Sequence, residues 1–122
     1  MKKIILITCM MMVFAMACKK ENDTENPTVT ITAPVANDMF GIGDSILIEF
    51  TAVDADMHGY ELQVLNTSDS TIVFEDAAHT HGNVTYSQKF KSPDVATNME
   101  LIVTGEDHNG NTSTKSVHFH TM

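Results

Sequence analysis

Two imidazoles one residue apart, His79-Thr80-His81, are the feature of this chain that most directly suggests chemistry. On an extended segment, residues at i and i+2 point the same way, so both rings can ligate one ion. Gly82 follows and lets the chain bend toward a ligand. Glu75, Asp76, His58 or His108 could complete a Zn²⁺ or Cu²⁺ shell, since imidazole suits both metals. The competing reading is a solvated polar loop in a chain with six scattered histidines. A second candidate is Ca²⁺. Asp54-Ala55-Asp56 is an acidic loop, and Asp107 and Asn109 could add oxygens from a facing loop. Asp, Asn and Gly also serve ordinary turns, because their side chains bond local backbone amides. His118 and His120 flank Phe119 and, by alternation, face solvent.

Catalysis finds little support. No serine sits in a Gly-x-Ser-x-Gly context, and turn-located aspartates do not make a buried acid/base pair. Seven Lys+Arg, none of them Arg, stand against sixteen Asp+Glu, for a formal charge of -9. That balance excludes a nucleic-acid binder, whose affinity rests on neutralising phosphates. With no Trp and two Tyr, an aromatic sugar-stacking platform is not expected, so carbohydrate is not a favoured partner.

These side chains need elements to hold them. From Pro27 onward, short alternating runs are broken by turn residues, an all-β signature. Val29 and Ile31 start the series. Ile46, Ile48, Phe50 and Ala52 follow, then Tyr60, Leu62 and Val64. Thr71–Phe74 reads as a short apolar strand where a sheet edge is expected. Val84, Tyr86 and Phe90 share one parity, as do Met99, Leu101 and Val103, and Val117 and Phe119 close the chain. About seven strands in the roughly 95 residues from Pro27 onward make a two-sheet antiparallel sandwich the economical fold. If consecutive strands run up and down, the loops 54–58, 76–82 and 106–111 share one end with the start of the first strand, and His118 and His120 lie at the other.

The first residues read as an address. Lys2 and Lys3 precede an apolar run, Ile4–Met16, too short to span a bilayer comfortably. The run ends Ala15-Met16-Ala17-Cys18, before Lys19-Lys20-Glu21-Asn22-Asp23. This resembles a bacterial lipoprotein signal, which implies lipidation of Cys18 and removal of residues 1–17. The alternative is ordinary cleavage after Ala17, leaving a free thiol. Two or more acyl chains would hold the protein on a membrane without spanning it. Residues 18–26 then form a flexible tether and residues 27–122 the domain. Losing Lys2 and Lys3 takes the formal charge to -11. With Cys9 removed and Cys18 lipidated, the domain has no thiol for a disulfide or a metal.

Pro27-Thr28-Val29-Thr30-Ile31, Gly43-Asp44 before a strand, Asp54-Ala55-Asp56 after one, and the late Gly105–Asn111 stretch together resemble a bacterial immunoglobulin-like domain. The Cys-Lys-Lys-Glu-Asn-Asp start is similar to that of Bacteroidetes lipoproteins. The chain as a whole resembles a family of uncharacterised lipoproteins with one such domain. That resemblance implies an outer-membrane lipoprotein, facing the periplasm or the cell surface, with an envelope protein as partner, and no established activity.

Overall fold

The structure is a computed structural model and describes residues 24–122. Residues 1–23, with the leader and Cys18, lie outside the described residues. Eight strands follow one another: β1 (Thr28–Ala33), β2 (Met39–Phe40), β3 (Ser45–Val53), β4 (Met57–Asn66), β5 (Ile72–His79), β6 (Val84–Lys91), β7 (Thr97–Asp107) and β8 (Thr112–Thr121). They form two sheets, one in the order β1-β3-β6 and one in the order β2-β8-β7-β4-β5. All pairings are antiparallel except the two-residue contact of β2 with β8.

The alternation seen in the sequence becomes the core. Ile46, Ile48, Phe50 and Ala52 point from β3 into the space between the sheets, with Leu62 and Val64 from β4 and Met99, Leu101 and Val103 from β7 opposite them; all nine are essentially inaccessible to water. Burying such side chains contributes about 1.5–3 kcal/mol each. Phe50 sits at the centre of the aromatic packing. It stacks on Tyr86 with ring centres 4.8 Å apart and meets Tyr60 edge-on at 5.5 Å. Farther along, Phe90 stacks on Phe74 at 5.4 Å and meets Phe119 edge-on at 6.4 Å.

Two elements differ from the sequence expectation. The eighth strand is β2, inside what reads as a loop; two residues are too few to show a period, and its partner β8 is remote in sequence. More consequentially, β5 runs on to His79 rather than ending at Phe74. Its second half, Glu75-Asp76-Ala77-Ala78-His79, carries no apolar alternation, and pairing with β4 from Leu65↔Ile72 to Gly59↔His79 makes it a strand nonetheless. As expected, β5 is a sheet edge.

The longer strand places Asp76 on the inward parity, three residues and therefore one face away from His79. A carboxylate there needs a partner. It finds one across the sandwich: the Tyr86 hydroxyl donates to Asp76 Oδ2 at 2.8 Å, joining the two sheets at their open side. Burial pushes the Tyr86 phenol well above the ordinary tyrosine value, helped by this hydrogen bond and by the charges of Asp76 and Tyr60. Tyr60 is raised too, by burial first and then by Asp76.

Two measurements check this packing. Phe50→Ala should cost about 3–5 kcal/mol in urea unfolding, whereas trimming the exposed Val35 to Ala should change stability by less than about 0.5 kcal/mol. Both tyrosines of the chain titrate high, so the folded protein should show no tyrosinate absorbance step near pH 10, and denaturant should restore one. The neutral phenols favour the fold. Their contribution is therefore complete below about pH 10 and is lost as pH rises through the raised folded values.

Candidate functional site: a histidine cluster at the loop end

The connections between β3 and β4, β5 and β6, and β7 and β8 meet at one end of the sandwich, as the up-and-down reading anticipates. Backbone hydrogen bonds tie them together. The His108 amide donates to the Asp56 carbonyl at 3.0 Å, and the Thr80 amide donates to the His58 carbonyl at 2.7 Å. The Asp54 amide donates to Asn83 Oδ1 at 3.1 Å. The start of β1 is at this end as well, since a Cβ on Gly105 would lie 3.5 Å from Pro27. His118 and His120 lie at the far end, where the His118 carbonyl accepts from Asn37 and the His120 amide donates to Asp38. The His118 ring is exposed and pairs with Glu100 at 3.2 Å.

Four of the six imidazoles therefore share one neighbourhood. The ring of His58 lies 4.8 Å from that of His79 and 4.7 Å from that of His108, centre to centre. His81 stacks toward His108 at 6.3 Å. Local sequence explains the closeness. Gly59 follows His58 and faces His79 across the β4–β5 ladder. A Cβ at Gly59 would stand 2.6 Å from the Ala78 carbonyl oxygen, so only glycine lets β5 close against β4 here. A β-bulge between Met57 and Gly59 turns the chain at His58. Beside the rings is a depression of about 290 Å³, lined by His58, Gly59, Glu61, His79, Thr104 and Glu106, among others.

The ring nitrogens are not equivalent. His108 Nδ1 lies 2.9 Å from Asp56 Oδ1 and 3.0 Å from the Asp56 carbonyl oxygen. Both oxygens accept, so Nδ1 is the donor in this contact and Nε2 is the nitrogen left for any other partner. His58 Nδ1 is buried without a hydrogen-bond partner. Among the described residues, no group of three or more His, Cys, Asp or Glu is placed to hold a metal ion in this side-chain arrangement.

The structure sorts the candidate residues. His58, His79, His81 and His108 come together. Asp76 does not join them, being bound to Tyr86 on the other face of β5. Of the oxygen-rich set, Asp54 Oδ1 accepts the Asp56 amide at 2.8 Å, an Asx turn. Asp56 is engaged with His108. Asp107, fully buried, organises the last turn: Oδ1 accepts the amides of Asn109 at 2.8 Å and Asn111 at 2.9 Å, and Oδ2 accepts Asn111 Nδ2 at 2.9 Å. Burial alone would raise the Asp107 pKa. The hydrogen bonds from Asn111 and Asn109, with the charge of His108, outweigh it and hold the carboxyl below its ordinary value. Sequence reasoning placed Glu106 at this end but missed Glu61 and Gly59; a glycine inside a strand pattern is a signal of close backbone approach that points to the latter.

No family model and no curated protein sequence matches the chain. Among solved structures, it is similar to the fibronectin(III)-like modules of CbhA from Clostridium thermocellum, with 22% identity, a TM-score of 0.55, and coverage of 77% of this chain and 96% of that one. It is also similar to an engineered protein of known crystal structure, at 12% identity and a TM-score of 0.58, over 80% of this chain and 20% of that one. The chain thus spans about a fifth of the engineered protein's length. At these identities the likeness concerns the fold: an all-β sandwich of the immunoglobulin and fibronectin type III kind.

Removing the Asp107 carboxylate strands two backbone donors in a buried turn, and Asp107→Ala should lower the thermal midpoint by roughly 5–10 °C. Because the folded pKa is depressed, the wild-type contribution is complete above the ordinary carboxylate value of about 4 and is lost as pH falls through the folded value. The gap between wild type and Asp107→Ala, followed by thermal melts at descending pH, should narrow only in that acid range.

Proposed function

We propose that the chain is a lipid-anchored protein of the bacterial outer membrane whose single immunoglobulin-like domain works as a binding or accessory module for another envelope protein, with no catalytic activity of its own. The observation that carries this reading is the combination of the Ala15-Met16-Ala17-Cys18 signal with a small sandwich of the immunoglobulin and fibronectin type III kind. Such a domain offers partners its end loops and its sheet edges. Here β5 stands last in its sheet, and its outer backbone groups face no further described strand. The polar groups at the loop end and the open side also serve structure: Asp107 shapes a turn, Asp56 orients His108, and Asp76 joins the sheets. The formal charge of -11 after loss of the leader favours solubility and disfavours like-charged surfaces.

Anchoring and docking are tested together in cells. The wild-type chain should pellet with membranes and incorporate a clickable palmitate analogue. Cys18→Ala should do neither and should appear in the soluble fraction. A photo-crosslinking residue at Glu75 on the β5 edge should give discrete adducts with envelope proteins in the wild-type background and lose them with the anchor. Membrane retention and labelling that persist without Cys18 would contradict the anchor, and the absence of adducts would contradict the docking edge.

A further inference from the structure

The four loop-end imidazoles have a geometry that goes beyond a docking surface. A Zn–N bond of about 2.0–2.1 Å puts the centres of two imidazoles on one tetrahedral ion roughly 5 Å apart. His58 is compatible with that spacing twice, with His79 at 4.8 Å and with His108 at 4.7 Å, while His81 stands farther out, 6.3 Å from His108. His108 is oriented as a metal-ligating histidine is: a carboxylate and a carbonyl accept from Nδ1–H, which turns Nε2 toward a ligand. His58 contributes a buried Nδ1 that no protein group satisfies. Around them, Glu61 and Glu106 line the adjoining depression, and Asp54 and Asp56 sit in the neighbouring turn. This acidic rim draws cations in.

We propose that His58, His79 and His108, with His81 as the fourth donor, form a binding site for a transition-metal ion of the imidazole-preferring class, Zn²⁺ or Cu²⁺. The donors do not stand converged beforehand. His79, His81 and His108 are exposed, and rotation of their rings about His58 completes the shell as the ion arrives. Asp56 is a positioning residue that holds the His108 tautomer. An ion here would bridge β4, β5, the β5–β6 connection and the β7–β8 connection, so occupancy raises stability by mass action. Because Asp107 and Asp54 are committed to turn amides, the site has nitrogen rather than oxygen character and discriminates against Ca²⁺.

The test is calorimetric titration of the tag-free chain with Zn²⁺ and, separately, Cu²⁺, with Ca²⁺ as the control, alongside thermal melts. The expected result is one ion per chain, a raised midpoint, and no response to Ca²⁺. Affinity should fall at least about a hundredfold in His58→Ala/His108→Ala and in His79→Ala/His81→Ala, and stay within about threefold in His118→Ala/His120→Ala. Asp56→Asn should weaken binding about 10–100-fold while leaving the metal-free midpoint unchanged, which a purely structural role would not do. On the wild type alone, NMR should show ion-induced shifts confined to the four loop-end rings, so the outcome does not depend on a variant that folds poorly. No binding of either transition ion up to about 1 mM, equal binding of Ca²⁺, shifts at His118 and His120 instead, or full affinity in both double variants would each overturn the proposal. None of these outcomes bears on the lipid anchor or the β5 edge.

Discussion

Everything in this domain hangs on the two-residue period of three strands. Along β3, β4 and β7, every second side chain enters the space between the sheets, and the nine that do so most completely are closed to water. A slip of one residue in any of these strands would turn that set out into solvent, so register is set by burial rather than by turns. Once β4 is fixed by Leu62↔Val103 and Val64↔Leu101, its start at Met57 is fixed too, and with it the position of His58. The same ladder carries β5 along β4 until His79 faces Gly59. Cooperative burial of aliphatic side chains thereby determines where polar chemistry can be.

The loop end shows how a small sandwich can hold functional groups without a deep cleft. Two of the three connections are stiffened by a carboxylate of their own. Asp54 closes the β3–β4 turn, and Asp107 closes the β7–β8 turn with three accepted hydrogen bonds. Asp56 then reaches between connections to fix one ring of the cluster. The acidic residues that look like an oxygen-rich cation site in the sequence thus act largely as the scaffold of an imidazole-rich one. At the open side, Asp76 and Tyr86 do comparable work, joining two sheets whose strands share no backbone hydrogen bonds.

Much of the fold was legible because alternation is a strong local signal. Ile46, Ile48, Phe50 and Ala52, and Met99, Leu101 and Val103, are core residues in both readings. The convergence of three connections followed from strand direction alone. What was not legible depended on pairing. The polar half of β5 has no period of its own and is a strand only because β4 lies beside it. Reading that stretch as a loop places Asp76 with His79; reading it as a strand puts them on opposite faces. The pair β2–β8 is non-local and too short to leave a pattern. Nor does any sequence spacing distinguish Asp107, fully buried under three donors, from an exposed turn aspartate.

The fold relates this chain to modules of the fibronectin type III kind, while the features that distinguish it are local: Gly59, the four clustered rings and their carboxylate supports. The central claim is that strand register brings histidines from the start of β4, the end of β5 and the β7–β8 connection into contact. Its most direct measurement is a nuclear Overhauser spectrum of the histidine ring protons in the tag-free, metal-free protein. The account predicts cross-peaks from the His58 ring to the rings of both His79 and His108, and none from His58 to His118 or His120. A His58 ring that contacts neither neighbour would contradict it.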